Sequence, residues 1–228
     1  MPSDTVHPGI PLDEVKAPAQ EFFARARARL TLDVPPALTD INASGGIRGD
    51  LDLDPATWAK AGVKATRPAA VLVPVVAKPE PAVLLTQRTP HLKSHSGQVA
   101  FPGGKIEPTD PSPRAAALRE AHEEIGLDER FVESIGYLDL YLTFSGFRIL
   151  PLVAYVKPDY RLTINPGEVA DAFEVPLDFL MSPGNHQRLK RDWNGIERQY
   201  YAMPFGERYI WGVTAGILRN LYERIYAG

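Results

Sequence analysis

Apolar positions are sparse and helix-spaced up to about residue 65 and become dense and strand-like after Arg67. The runs "AVLVPVVA" and "AVLLTQR", separated by "KPEP", predict two strands joined through a turn. "QVAFP" predicts a short strand entering Gly103 and Gly104, followed by a helix from about Pro111 to Ile125. "IGYLDLYLTF" and "RILPLVAYV" predict strands on either side of a turn at Ser145 and Gly146. Beyond a loop at "NPGEV" and the stretch "FEVPLDFLM", "RLKRDW" and "ERQYYAMPF" predict a hairpin turning at Asn194-Gly195. "YIWGVTAGILRNLYERIYA" reads as a strand end running into an amphipathic helix.

The first part of the chain has a different texture. Residues 1–19 hold four prolines and little periodicity, as a mobile tail would. "EFFARARARL" predicts a short helix anchored by Phe22 and Phe23 and stopped by Pro35 and Pro36. "DPATWAKAGV" predicts another, with Asp54 as N-cap and Pro55 in the first turn. Residues 1–65 are therefore expected to form an extension packed on a main domain of residues 66–228. Strands and helices are interspersed with hairpin-like pairs and few helical crossovers. That favours an α+β-type α/β fold, a mixed sheet flanked by helices, over a doubly wound parallel one.

Composition narrows the function. With 44% hydrophobic and 23% charged residues the chain reads as globular, and its net charge of -3 offers no field for holding nucleic acid. It has no cysteine, which excludes disulfides, thiolate metal sites and a cysteine nucleophile. "PAAVLVPVVA" is about half the length that spans a bilayer. "MPSDTVHPGIPLDE" lacks the basic start and apolar core of a secretory signal, so a cytoplasmic location is expected.

The candidate chemistry lies in "GGKIEPTDPSPRAAALREAHEEIGL", Gly103 to Leu127. At about 100° per residue, Glu120, Glu123 and Glu124 share one helix face, with Leu118, Ala121 and Ile125 on the far side. Like charges so spaced repel unless cations offset them, and hard divalent cations take carboxylate oxygens. A merely solvated acidic face is the alternative. Gly103 and Gly104 permit close backbone approach, and Arg119 sits one turn before Glu123. Asp110 or Ser112 can cap the helix, with Pro111 or Pro113 at its first position.

This stretch resembles the Nudix hydrolase box at Gly104, Arg119, Glu120, Glu123, Glu124, Gly126 and Leu127. It departs in having Asp110 where Glu is usual, Ala121 where a larger aliphatic is usual, and eight residues instead of seven between Asp110 and Arg119. Just upstream, "LLTQRTPHLKSHSGQVAFPGG" looks like the signature of the coenzyme A pyrophosphatase branch: Leu84, Leu85, Thr86, Arg88, Gly97, Phe101, Pro102, Gly103 and Gly104 agree. Thr89 replaces Ser or Ala, and Lys93 replaces Arg, which keeps the charge but loses the bidentate fork. The longer loop with Pro108, Thr109 and Asp110, and "IWGVTAGIL", also suit that branch.

The resemblance implies an α/β/α sandwich and Mg2+- or Mn2+-dependent hydrolysis of coenzyme A or its acyl derivatives. It places metal on Glu120, Glu124 and the Gly104 carbonyl, with Glu123 as a further or water-bridged ligand and Arg119 behind them. Glu124 and Glu168 are the alternatives for general base. Arg88, Lys93, His95, Gly97, Phe101 and Gly103 would face the substrate; the alternative is that Arg88 ends a strand in a structural salt bridge while Lys93 and His95 are merely solvated. Tyr209 and Trp211 read as core or as substrate wall, core being the simpler expectation. A homodimer is compatible with the family. The rival readings are a broader hydrolase of ADP-ribose or NADH and a silent binding module.

Overall fold

The computed structural model describes residues 17–91, 95–193 and 195–227. In chain order the elements are α1 (Ala17–Arg29), β1 (Ile47–Gly49), α2 (Pro55–Ala61), β2 (Arg67–Val76), β3 (Ala82–Arg88), β4 (Val99–Ala100), β5 (Gly103–Lys105) and α3 (Pro113–Ile125). They continue with β6 (Val132–Tyr137), β7 (Leu140–Leu142), β8 (Phe147–Val156), β9 (Val169–Pro176) and α4 (Leu177–Leu180). The last are β10 (Gln187–Trp193), β11 (Ile196–Phe205), β12 (Arg208–Trp211) and α5 (Val213–Tyr222). The predicted tail lies almost wholly outside the described residues. Among those described, no helix is long and apolar enough to cross a membrane.

The mixed main sheet is centred on β2, which runs parallel to β8 along its whole length. On its other edge, β2 pairs antiparallel with β5 at residues 69–71 and with β3 at 75–76. Alternation then sorts the side chains to two faces. Val73 and Val75 join Val83, Leu85 and Val153 under α1 and α5, while Ala70, Leu72 and Val76 join Leu84, Leu150 and Leu152 under α3. The result is the expected sandwich of mixed sheet between helices.

Prolines inside β2 and β8 are tolerated because of where their neighbours part. Leu72 donates to Pro102 on the β3/β5 side, so Pro74, two residues on, turns its missing donor to the gap between β5 and β3. Pro151 faces the gap between β6 and β7 in the same way, its carbonyl accepting from Leu138.

The segment before β2 is built into this core. Phe22 and Phe23 are fully buried, and Phe23 lies 4.9 Å from the Tyr155 ring. β1 adds to the sheet edge in parallel with β7. Asp54 caps α2 through Thr57 and Pro55 stands in its first turn, as the sequence predicts.

The hairpin of β10 and β11 forms a second, three-stranded sheet with β12. Arg208 ties this sheet to the main one by donating to Gln87 and Asp171, and the Thr214 hydroxyl donates to the Val99 carbonyl at 2.9 Å. Between the two sheets a cavity of about 760 Å³ opens to solvent.

Candidate active site

The helix that carries the acids starts two residues later than predicted. Ser112, not Asp110, is its N-cap, accepting from Ala115, and Pro113, not Pro111, opens the first turn. The loop's extra length leaves the spacing from Arg119 onward intact. Gly126 ends the helix in the left-handed region at φ 67°, where a Cβ would press on Thr163.

Asp110 is thereby free for another task. Its carboxylate accepts from Arg119 Nε at 2.9 Å and Nη2 at 3.0 Å, a two-pronged ion pair. The same guanidinium reaches Glu120 at 3.1 Å, Glu123 at 3.0 Å and the Lys105 carbonyl at 3.2 Å. Arg119 therefore ties the loop, β5 and the helix acids together. Its hydrogen bonds hold the Asp110 carboxyl below its ordinary range.

Two of the three helix acids turn into the cavity. Glu124 is buried, and its Oε2 accepts from the Gly103 amide at 3.2 Å while Arg88 Nη1 stands 3.4 Å from its Oε1. Burial pushes the Glu124 carboxyl up to about 7; the Gly103 amide and Arg88 oppose that shift, and Glu120 and Glu168 add to it. Glu120 is raised as well, first by burial, with Arg119 opposing and Glu123 and Glu168 adding. Glu123 points elsewhere: it is exposed beside Arg119 and does not line the cavity. The solvated-face reading fits that residue alone.

Both glycines act through close approach. Gly103 has φ 152°, and a Cβ there would stand 2.6 Å from the Ala70 carbonyl oxygen. A Cβ on Gly104 would overlap the Glu120 carboxylate, with Glu120 Cδ at 2.6 Å. Glu168 arrives from a loop bound to the end of α3: Thr163 donates to Ile125 and Asn165 to Glu124, and the Asn165 side chain reaches Glu168 Oε1 at 3.3 Å.

The upstream signature is divided by the fold. Arg88, His95, Phe101 and Gly103 line the cavity with Gly104, Glu120, Glu124 and Glu168. His95 sits exposed at the mouth with φ 57°, its Nδ1 2.9 Å from Gln98 Oε1. Gly97 lies in the adjoining turn at φ 68°, where its carbonyl accepts from Gln87, and does not line the cavity. Lys93 lies outside the described residues.

Other lining residues carry no local signal in the sequence. Asp50, Arg67, Phe144 and Trp193 come to the cavity from separate parts of the chain, and Arg198 and Tyr200 come together from β11. Trp211 is wall and not core, stacked 6.0 Å from Trp193, and Tyr209 is 43% exposed. A lone aromatic in a half-buried strand does not reveal which face is covered, so the sequence left Trp211 open between core and substrate wall and gave no sign of Trp193 or Tyr200.

Among the described residues, no three His, Asp or Glu side chains already converge as a metal cluster. Arg119, Arg88 and the Gly103 amide occupy the carboxylates instead. The donor chemistry nonetheless fits a hard divalent cation. A buried and a half-buried carboxylate, mutually repelling, stand beside a glycine backbone that a Cβ would close.

A NUDIX domain model matches residues 66–194. The chain is 42% identical over 161 residues to a Klebsiella pneumoniae protein described as uncharacterized Nudix hydrolase NudL, covering 71% of this chain and 84% of that one. An Escherichia coli K12 protein of the same description is 41% identical over 159 residues, covering 70% and 83%. Among solved structures, one from Deinococcus radiodurans aligns with 70% of this chain and 85% of its own at a TM-score of 0.45 and 12% identity.

Proposed function

The chain belongs to the Nudix hydrolase family, with the Nudix mixed α/β fold and hydrolysis of a diphosphate substrate, and from that premise we propose that the substrate is coenzyme A or an acyl derivative. Cleavage at the diphosphate would give 3′,5′-ADP and 4′-phosphopantetheine or its acyl form. The observation that carries this reading is the meeting of two sequence motifs in one cavity. Arg88, His95, Phe101 and Gly103 from the upstream signature line it beside Glu120 and Glu124 from the acidic helix.

Glu120, Glu124 and the Gly104 carbonyl are the groups proposed to hold Mg2+ or Mn2+, with Glu123, which lies outside the cavity lining, left to a water-bridged role. The cation, when bound, supplies neutralisation of the diphosphate and a lowered pKa for water. The chain's own residues do the rest. Arg119 fixes Glu120 in orientation, and Arg88 offers its charge to the phosphate oxygens. With Glu124 committed to metal, Glu168 is the carboxylate left to take a proton from the attacking water, anchored for that task by Asn165.

The test is product separation after incubating coenzyme A with the protein and magnesium or manganese. The expected product is 3′,5′-ADP. Its absence while ADP-ribose or NADH is cut would replace the reading with a broader hydrolase, and inertness toward all three would favour a binding module.

A further inference from the structure

One end of the cavity is built from groups that the hydrolytic machinery leaves unused. Arg198 of β11 lies with its guanidinium carbon 4.2 Å from the centre of the Phe144 ring. Its Nε is buried and has no hydrogen-bond partner among the described residues. Asp50 is the acid that acts on it electrostatically, but the two Asp50 oxygens already accept from Tyr141 and the Phe144 amide, each at 3.0 Å. Burial also pushes Asp50 toward its neutral form. Arg198 thus keeps a desolvated donor that no hydrogen bond satisfies, and the oxygens of its electrostatic partner Asp50 are engaged elsewhere, an arrangement costly to leave unmatched.

Beside it stands an aromatic wall. Trp193 and Trp211 stack at 6.0 Å with 12° between planes, and Tyr200 packs edge-on against both, at 5.8 and 5.5 Å. That spacing is below the roughly 7 Å that a third ring between them needs. A planar ligand must therefore stack on the pair from the cavity side, not between the indoles. Arg67 adds a second cation at this end, over the Phe147 ring at 4.1 Å.

Strand register gives the separation along β2 between Arg67, at this end, and Gly103, beside the acids. Phe147 pairs with Arg67 and Gly103 pairs with Val71, four residues along β2, or about 13 Å.

We propose that Trp193, Trp211 and Arg198 form the subsite for the nucleotide end of the substrate, the indoles taking the base and Arg198 a phosphate monoester on its ribose. A pantetheine arm has neither a ring for the indoles nor a charge for the guanidinium. The assignment rests on the coenzyme A reading for the identity of that phosphate.

Binding of 3′,5′-ADP, 5′-AMP and pantetheine to the full chain with magnesium, followed by tryptophan fluorescence, tests it. Arg198→Met is expected to weaken 3′,5′-ADP about tenfold, to the level of 5′-AMP, while leaving 5′-AMP unchanged. Arg198→Lys should fall between. Trp211→Ala is expected to weaken both nucleotides about tenfold. Thermal midpoints matching the wild type establish that the variants fold. Equal loss of both nucleotides in Arg198→Met, unchanged binding in Trp211→Ala, or an effect on pantetheine instead would overturn the subsite. If the nucleotide pattern holds while coenzyme A is not cleaved, the substrate reading falls and the subsite stands.

Discussion

Glu124 is the residue at which burial and chemistry meet. A buried carboxylate with one amide and one distant guanidinium to support it, and two further acids beside it, is costly to fold and useful only if it acts. Replacing it by Gln removes the charge and keeps the shape. Glu124→Gln is therefore expected to lower kcat by at least about a hundredfold with no loss in thermal midpoint. Near-normal turnover would show that the acid lies outside the reaction. Gly104 gives an independent check, because its Cβ would meet only the far end of the Glu120 side chain. Gly104→Ala should fold normally yet displace that carboxylate, so activity should fall and the metal requirement rise in titrations with Mg2+.

At the scale of elements, short connections decide how helices and strands bear on the cavity. His186, ahead of β10, joins two helices: its Nε2 donates to the Leu180 carbonyl of α4 at 2.6 Å, and its Nδ1 faces Arg219 of α5 at 3.4 Å. Burial, followed by Arg219, holds its pKa below the ordinary 6.5, with the Leu180 carbonyl opposing. A group lowered in the folded state contributes stability that is present above its ordinary pKa and is lost as pH falls through the folded value. Glu124, raised in the folded state, contributes in the opposite direction over the same range, so the comparison is between proteins that both keep it. From about pH 7.5 to pH 5 the urea midpoint of the wild type should fall relative to that of His186→Gln. A difference between the two that does not change with pH would exclude this histidine. The acidic helix shows the same dependence on connections, since Ser112 and Pro113 set its start and release Asp110 to hold Arg119.

For the molecule as a whole, the N-terminal segment is structural. Phe22 and Phe23 fill the core beneath α5, and Asp50 reaches the cavity from just beyond β1. Each buried Phe truncated to Ala costs about 3–5 kcal/mol, a large share of the roughly 5–15 kcal/mol that folds a domain. A fragment of residues 66–228 is expected to lack a cooperative unfolding transition by circular dichroism, and Phe23→Ala to lose about 3–5 kcal/mol in urea. A cooperative fragment would show that the segment only decorates the fold.

Local sequence was enough for what depends on neighbours a few residues apart. The phase of Glu120 and Glu124 on their helix, the α2 cap and the hairpin of β10 and β11 follow from periodicity and turn chemistry, and the box motif carries the family. Tertiary structure decided everything that depends on distant segments meeting. It turned Glu124 inward and Glu123 outward, drew Glu168 to the site through Asn165, and faced Arg198, Trp193 and Trp211 toward the same space. Helical phase fixes an angle about one axis, whereas burial depends on which strand, from anywhere in the chain, comes to lie across it.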